Sequence, residues 1–144
     1  MTAETHKHAC LISEEELRTT MARELPEWTV ADGSIRRVYR THGWKSTLML
    51  VTTVGHLAEA AWHHPDMLVR YGEVEVRLST HSEGGVTAKD LALAGIIEEV
   101  VLWRPGGLSG SPLDGTPTDP RYAYVKYETE PGTPPASSPG SPAQ

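Results

Sequence analysis

Residues 59–90 read EAAWHHPDMLVRYGEVEVRLSTHSEGGVTAKD, and this stretch decides the fold. It predicts the end of a helix that runs into a His-His-Pro turn, because proline cannot continue a helix. Residues 71–78 then alternate apolar and polar side chains, as a strand with one buried face does. A Gly-Gly turn and a second helix follow. Three histidines and two carboxylates therefore stand near the ends of elements, where loops usually carry chemistry.

The composition is that of one soluble globular domain. The chain has 144 residues, 38% of them hydrophobic and 22% charged. A formal net charge of -6 argues against nucleic acid as a partner, since phosphate binding needs basic patches. We expect no membrane span and no signal peptide, because no apolar run is long enough and the N-terminus lacks an apolar core. The single Cys10 excludes an intramolecular disulfide framework, so we expect a cytoplasmic protein.

The N-terminal part predicts one helix and one β-hairpin. Residues 1–12 show no pattern and are expected to be disordered. Ser13 and Glu16 have the spacing of a capping box, so a helix should begin there and end before Pro26. Asp32-Gly33 lies between two short apolar segments and is a strong hairpin signal.

The middle of the chain predicts two further helices and at least one strand. Thr47 to Trp62 has strand propensity, but its length and its apolar stripe favour a helix. The segment 66–69 fits either a fourth strand or an active-site loop. Thr87 and Asp90 have the spacing of a second capping box, which predicts a helix ending near Trp103.

The composition also divides the chain into four parts. We expect a folded α+β domain over residues 13–104. Residues 105–130 are expected to be a linker, with a possible extra strand at 121–127. The Pro- and Ser-rich tail 131–144 should be disordered.

The histidines are the residues best suited to chemistry near neutral pH. Adjacent residues in an extended segment point in opposite directions, so His63 and His64 should do different jobs. His81, at the end of a strand, can approach the same cleft from the far side. A substrate between them would meet a base and an acid together.

Purely structural interpretations compete with this one. A His-His pair in a loop is usually a solvated turn, Asp90 is explained by its capping box, and Glu59 by a solvated helix face. His56, Glu59 and His63 share one helical face, but the His-Glu-x-x-His pattern is absent, so we do not expect a metal site.

The pattern of residues in this stretch resembles the signature of the pterin-4a-carbinolamine dehydratases. The match is dense from Glu59 to Glu98 and extends more weakly back to Ser13. The residues that carry it are Glu59, His63, His64, Pro65, Tyr71, Ser79, Thr80, His81, Gly85, Val86, Thr87, Asp90, Leu93 and Ala94.

The resemblance implies a fold and a reaction. The fold is a four-stranded antiparallel sheet with helices packed on one face, to which this chain adds a C-terminal extension. The reaction removes water from a 4a-hydroxytetrahydropterin and yields the quinonoid dihydropterin, as part of tetrahydrobiopterin recycling. It implies no metal and no redox cofactor. The family forms dimers or tetramers, so we expect self-association.

The resemblance also implies roles for individual residues. His63, His64 and His81 would carry acid/base catalysis and pterin binding, with His63 and His81 as the proton-transfer pair. Asp90 would orient a histidine, and Glu59 would support the site in a similar way. Pro65 and Thr80 belong to the same binding and supporting set.

Three departures from the family pattern leave a second function open. Met67 stands where relatives often have a bulky aromatic residue, and Trp62 stands where they often have a small or polar one. Trp62 would narrow the pocket or form a contact surface. Some relatives are assembly factors, such as Rubisco assembly chaperones, and the extension with Tyr122, Tyr124 and Tyr127 would then bind a protein client.

Overall fold

The computed structural model describes residues 9–106 and 110–127, which form an α+β domain with one antiparallel sheet. The strand order is β1-β2-β4-β3, and the helices pack on one face, which confirms the expected fold class. The strands are β1 Thr29–Ala31, β2 Ser34–Arg40, β3 Asp66–Arg70 and β4 Glu73–Leu78. The helices are α1 Glu14–Glu24, α2 Trp44–Ala61 and α3 Ala88–Val101, with single 3-10 turns at His81–Glu83 and Pro120–Tyr122.

β4 is the strand around which the core is built. It lies between β2 and β3, and the predicted apolar face of Val74, Val76 and Leu78 is fully buried. Burial of each of these side chains contributes roughly 1.5–3 kcal/mol. This fixes the end of β4, and with it the position of Thr80 two residues beyond.

The predicted N-terminal elements are confirmed. α1 begins directly after Ser13, whose hydroxyl accepts a hydrogen bond from the Glu16 backbone N–H at 3.3 Å. It ends at Glu24, two residues before Pro26. β1 and β2 meet at a tight turn in which Asp32 and Gly33 both have positive φ, as a type I′ hairpin requires.

α2 confirms the helical interpretation of the ambiguous segment, although it begins at Trp44, earlier than the predicted Thr47. Gly43 occupies the N-cap position, and the Thr47 hydroxyl, inside the first turn, donates to the Tyr71 carbonyl at 3.0 Å. The apolar stripe of Leu50, Val54 and Ala58 is buried. The helix has 18 residues, so its two ends are about 27 Å apart.

The segment after the His-His-Pro turn is a strand rather than a loop. β3 begins at Asp66 and pairs antiparallel with β4, with Met67 opposite Val76. The β3–β4 hairpin therefore returns the chain from the end of α2 to Thr80. Within the described part of the chain, no helix has both the length and the apolar character needed to cross a bilayer.

α3 is tied to the sheet by a polar contact that the sequence did not indicate. The Tyr39 hydroxyl and the Arg37 guanidinium both donate to the Glu98 carboxylate, at 2.7 and 2.9 Å. Burial, followed by the neighbouring Glu98 charge, raises the pKa of Tyr39 well above its usual range, so the phenol stays a donor. These bonds fix α3 on β2.

Both ends of the described chain differ from expectation. Leu11 and Ile12 are ordered, since Leu11 forms a bridge with Thr87 and the Ile12 N–H donates to the Val86 carbonyl at 3.0 Å. The extra strand predicted at 121–127 does not form. Its first residues make a 3-10 turn, because Asp119 caps it and Pro120 starts it, and only an isolated bridge joins Val125 to Thr41.

The isolated bridge places the extension beside β2. β1 is only three residues long, so the last residues of β2 have no strand partner on that side. The extension fills this gap: the Lys126 N–H donates to the Arg40 carbonyl at 2.8 Å, and Val125 is buried. The predicted disordered tail 131–144 and residues 1–8 lie outside the described residues.

Candidate active site

Three element ends meet at one edge of the domain. Glu59 lies in the last turn of α2, and His63 and His64 follow its end. Thr80 follows β4, and Asp90 lies in the first turn of α3. The helix end, the strand end and the helix start therefore bring together residues that are 31 positions apart in the chain.

The Asp90 carboxylate is the centre of this cluster. It is completely buried and accepts three hydrogen bonds. Oδ2 accepts from the Thr80 hydroxyl at 2.8 Å and from the Thr87 backbone N–H at 2.9 Å. Oδ1 lies 2.5 Å from Nε2 of His63. One oxygen therefore completes the predicted capping box of α3, and the other holds a histidine.

The two threonines have defined hydrogen-bond directions. A hydroxyl has one hydrogen, and that of Thr80 is donated to Asp90. The 2.7 Å contact between the Thr80 and Thr87 hydroxyls must then use the Thr87 hydrogen. The Thr87 oxygen in turn accepts from the Lys89 N–H at 3.3 Å. These buried polar groups therefore form a chain that ends on the Asp90 carboxylate.

The contact with Asp90 also defines the form of His63. An ionised carboxylate can only accept, so Nε2 carries the hydrogen and, in the neutral ring, Nδ1 carries the lone pair. The His63 side chain is 14% exposed, and the Asp90 side chain is fully shielded from solvent. His63 thus has one nitrogen anchored in the interior and a small surface open to a substrate.

A second histidine–carboxylate pair lies beside the first. Nε2 of His64 is 2.6 Å from the Glu59 carboxylate, so the adjacent histidines contact different carboxylates. Both side chains are largely exposed, at 47% and 68%. Water competes with an exposed pair, so this contact orients His64 less firmly than Asp90 orients His63.

Of the remaining motif residues, His81 and Pro65 lie next to residues of this cluster in the chain, whereas Tyr71 lies away from it. His81 is exposed and directly follows Thr80, which places it one residue from a hydrogen-bond partner of Asp90. Pro65 is half-buried between His64 and β3. Tyr71 lies at the other end of α2, where a Cβ atom on Gly43 would lie 3.6 Å from its hydroxyl. Tyr71 is therefore not part of this cluster.

Two contributions to the site were missed by the sequence. The Thr87 hydroxyl was expected only to cap α3, yet it also supports Thr80. Leu11 was expected to be disordered, yet its bridge holds Thr87 in place. The capping pattern carried the signal for Thr87, whereas nothing in the N-terminal sequence indicated the bridge.

Comparison with known proteins gives the family. The sequence model of the family described as pterin 4 alpha carbinolamine dehydratase matches residues 11–100, which include every residue of this cluster. The chain belongs to this family. The match stops at residue 100, near the end of α3, so the C-terminal extension lies outside the matched residues.

Individual dehydratase relatives agree with that assignment. Proteins of Aquifex aeolicus and Haloarcula marismortui share the name "Putative pterin-4-alpha-carbinolamine dehydratase". The first is 40% identical over 90 residues, which is 62% of this chain and 90% of its own. The second is 43% identical over 86 residues, which is 60% of this chain and 90% of its own.

A solved structure shares the fold. The crystal structure of transcriptional coactivator/pterin dehydratase from Brucella melitensis has a TM-score of 0.57 and 28% sequence identity. The similarity covers 62% of this chain and 96% of that chain. The shared part is thus the family domain without the extension.

The buried chain of hydroxyls predicts a measurable loss of stability. In Thr80→Val the shape is kept, but Asp90 loses a donor and the Thr87 hydroxyl loses its acceptor. We expect the free energy of unfolding to fall by about 1–3 kcal/mol in urea denaturation. Thr53→Val is the matched control, because its hydroxyl bonds only to the Met49 carbonyl on α2 and its loss should cost about 0.5 kcal/mol or less. Equal losses in both variants would contradict the role of Thr80.

Proposed function

We propose that this protein dehydrates a 4a-hydroxytetrahydropterin to the quinonoid dihydropterin, within tetrahydrobiopterin recycling in the cytoplasm. The observation that carries the proposal is the His63–Asp90 pair: a partly exposed imidazole whose inner nitrogen is anchored on a fully buried carboxylate. The family match over residues 11–100 supplies the substrate class.

The proposed reaction is an elimination that needs only proton transfer. The bond between C4a and its hydroxyl breaks, and the hydroxyl leaves as water after it gains a proton. The neighbouring ring nitrogen loses its proton, and a carbon–nitrogen double bond forms. One proton is delivered by one group and one is taken by another, so the net number of protons on the enzyme is unchanged and no electron is gained or lost. Exchange of protons with water then restores both groups to their starting forms.

The geometry favours different roles for the three histidines. Asp90 holds the Nε2 hydrogen of His63, which leaves Nδ1 as an acceptor suited to the base. The exposed His81 would deliver the proton to the leaving hydroxyl. His64, oriented by Glu59, would bind and polarise the substrate. Thr80 and Pro65 would support these residues without touching the reacting atoms.

The direct test is dehydration of freshly generated 4a-hydroxytetrahydropterin, followed by absorbance. We expect His63→Ala and His81→Ala each to lower kcat by roughly 10²-fold or more, the usual contribution of a positioned acid or base. His42→Ala is the control, because His42 is exposed and precedes α2 at the end opposite to Glu59. A well-folded wild type without activity would contradict the proposal.

A second prediction separates the two histidine–carboxylate pairs. In Asp90→Asn, the amide oxygen can still accept from Thr80 and Thr87, so the amide nitrogen faces His63 and forces Nε2 to become the acceptor. The lone pair on Nδ1 is then lost, and we expect kcat to fall by roughly 10²-fold or more. Glu59→Gln changes an exposed pair, so we expect less than about a tenfold loss. Both rates are measured in the same assay, and equal losses would contradict the distinction.

We also propose that the protein forms a homodimer or homotetramer. Support comes from exposed apolar side chains on the outer faces of α2 and α3, since such a surface usually marks a contact with another protein. They are Trp44, Leu48, Met49, Ile96 and Val100, and the exposed Trp103 follows directly after α3.

Sedimentation equilibrium tests self-association. We expect an oligomer for wild type and a monomer for the double variant Leu48→Glu/Val100→Glu, because a charge in each apolar stripe opposes burial. Thr19→Glu, exposed on α1 and so outside α2 and α3, is the control and should leave the oligomer intact. A monomeric wild type would contradict self-association.

The assembly-factor alternative would use the extension as a strand for a client. In this structure Val125 is buried and Tyr124 and Tyr127 are half-buried against the domain, whereas Tyr122 is exposed. A client strand would have to displace these contacts first. The geometry therefore favours the dehydratase.

A further inference from the structure

Trp62 has a backbone conformation that is unfavourable for its side chain. It directly follows α2 with φ 51° and ψ 46°, the left-handed region in which helices usually end on glycine or asparagine. In the described part of the chain, Asp32 is the other non-glycine residue with positive φ, and its hairpin turn requires that conformation. No such turn requires a positive φ at Trp62, so local structure does not explain why a tryptophan occupies this unfavourable conformation.

The indole is also poorly buried. Trp62 is 68% exposed, although tryptophan normally contributes its large apolar surface to a core. Its recorded ring contact is with His64, at 5.0 Å between centroids and 83° between planes. Neither the backbone nor packing into the core therefore explains a tryptophan at this position.

The position itself is informative. Trp62 immediately precedes His63, which is anchored on Asp90, and its ring touches His64, which is anchored on Glu59. A large exposed aromatic surface thus lies beside both histidine–carboxylate pairs. The exposed ring of Tyr71 lies at the other end of α2, so it cannot contact a ligand bound at these two pairs.

We infer that Trp62 is a specificity-determining residue whose indole forms a flat apolar wall beside His64, against which a fused, planar heterocycle stacks. This inference rests on the proposed function and names a residue that recognises its substrate. Stacked aromatic rings attract each other beyond simple burial, and an exposed ring still has surface for a flat ligand to cover. The contact would hold the pterin ring at the histidines without taking part in proton transfer.

Replacement by glycine tests the inference, because stability and affinity should move in opposite directions. Trp62→Gly removes the wall but adopts the left-handed conformation without strain, so its melting temperature should stay equal or rise. We expect KM for 4a-hydroxytetrahydropterin to rise roughly three- to tenfold, with kcat within about twofold of wild type. A purely structural tryptophan would instead lower the melting temperature and leave KM unchanged.

Two further variants separate the ring from the backbone. Trp62→Asn tolerates the left-handed conformation but has no ring, so its KM should match that of the glycine variant. Trp62→Tyr restores an aromatic face and should bring KM back to within about twofold of wild type. Failure of tyrosine to rescue KM, or a loss confined to kcat, would overturn the inference.

Two measurements keep this test distinct from that of the proposed function. If wild type neither turns over the substrate nor binds biopterin in equilibrium dialysis, the proposed function itself fails. If wild type is active and Trp62→Gly has an unchanged KM, only the role of Trp62 fails. A change of the sedimenting species in Trp62→Gly, with KM unchanged, would likewise overturn the inference and make the ring a subunit contact.

Discussion

The hydrogen bonds of the Asp90 carboxylate are the constraint on which the site depends. One oxygen completes the cap of α3 and accepts from Thr80 at the end of β4, and the other holds His63 after α2. Because the group is fully buried, losing any of these donors leaves a buried charge with fewer hydrogen bonds and no water to replace the lost one. Folding of three elements and orientation of the histidine are therefore one event.

This arrangement explains why two neighbouring histidines differ in their suitability for catalysis. His63 is anchored on a shielded carboxylate, whereas His64 is paired with a carboxylate that water can reach. A fixed donor on Nε2 gives His63 a defined tautomer, which proton abstraction needs. His64 keeps more freedom, which suits a binding residue beside the exposed Trp62. The proposed chemistry and the proposed recognition of a ligand would thus lie on adjacent residues of one short turn.

The sequence predicted the elements whose signals are local. The alternation in β4, the Asp32-Gly33 turn and the capping box at Asp90 depend on neighbouring residues, and all three are confirmed. Contacts between distant segments gave no such signal. The bridge from Leu11 to Thr87 joins two segments that are far apart in the chain, outside the sheet strands. The packing of Val125 beside β2 depends on the strand edge that β1 leaves open, and that edge is known only after the sheet has formed. The same limit made the fourth strand ambiguous.

The orienting role of Asp90 is tested by determining the tautomer of His63 from the nitrogen chemical shifts of the histidine rings by NMR. At a pH where the ring is neutral, the contact with Asp90 predicts that His63 carries its hydrogen on Nε2 and that Asp90→Asn moves it to Nδ1. His64 should show fast exchange between forms, since its Glu59 partner is exposed. If neutral His63 in the wild type carried its hydrogen on Nδ1, Asp90 would not be orienting the proposed base, and its assigned role would be wrong.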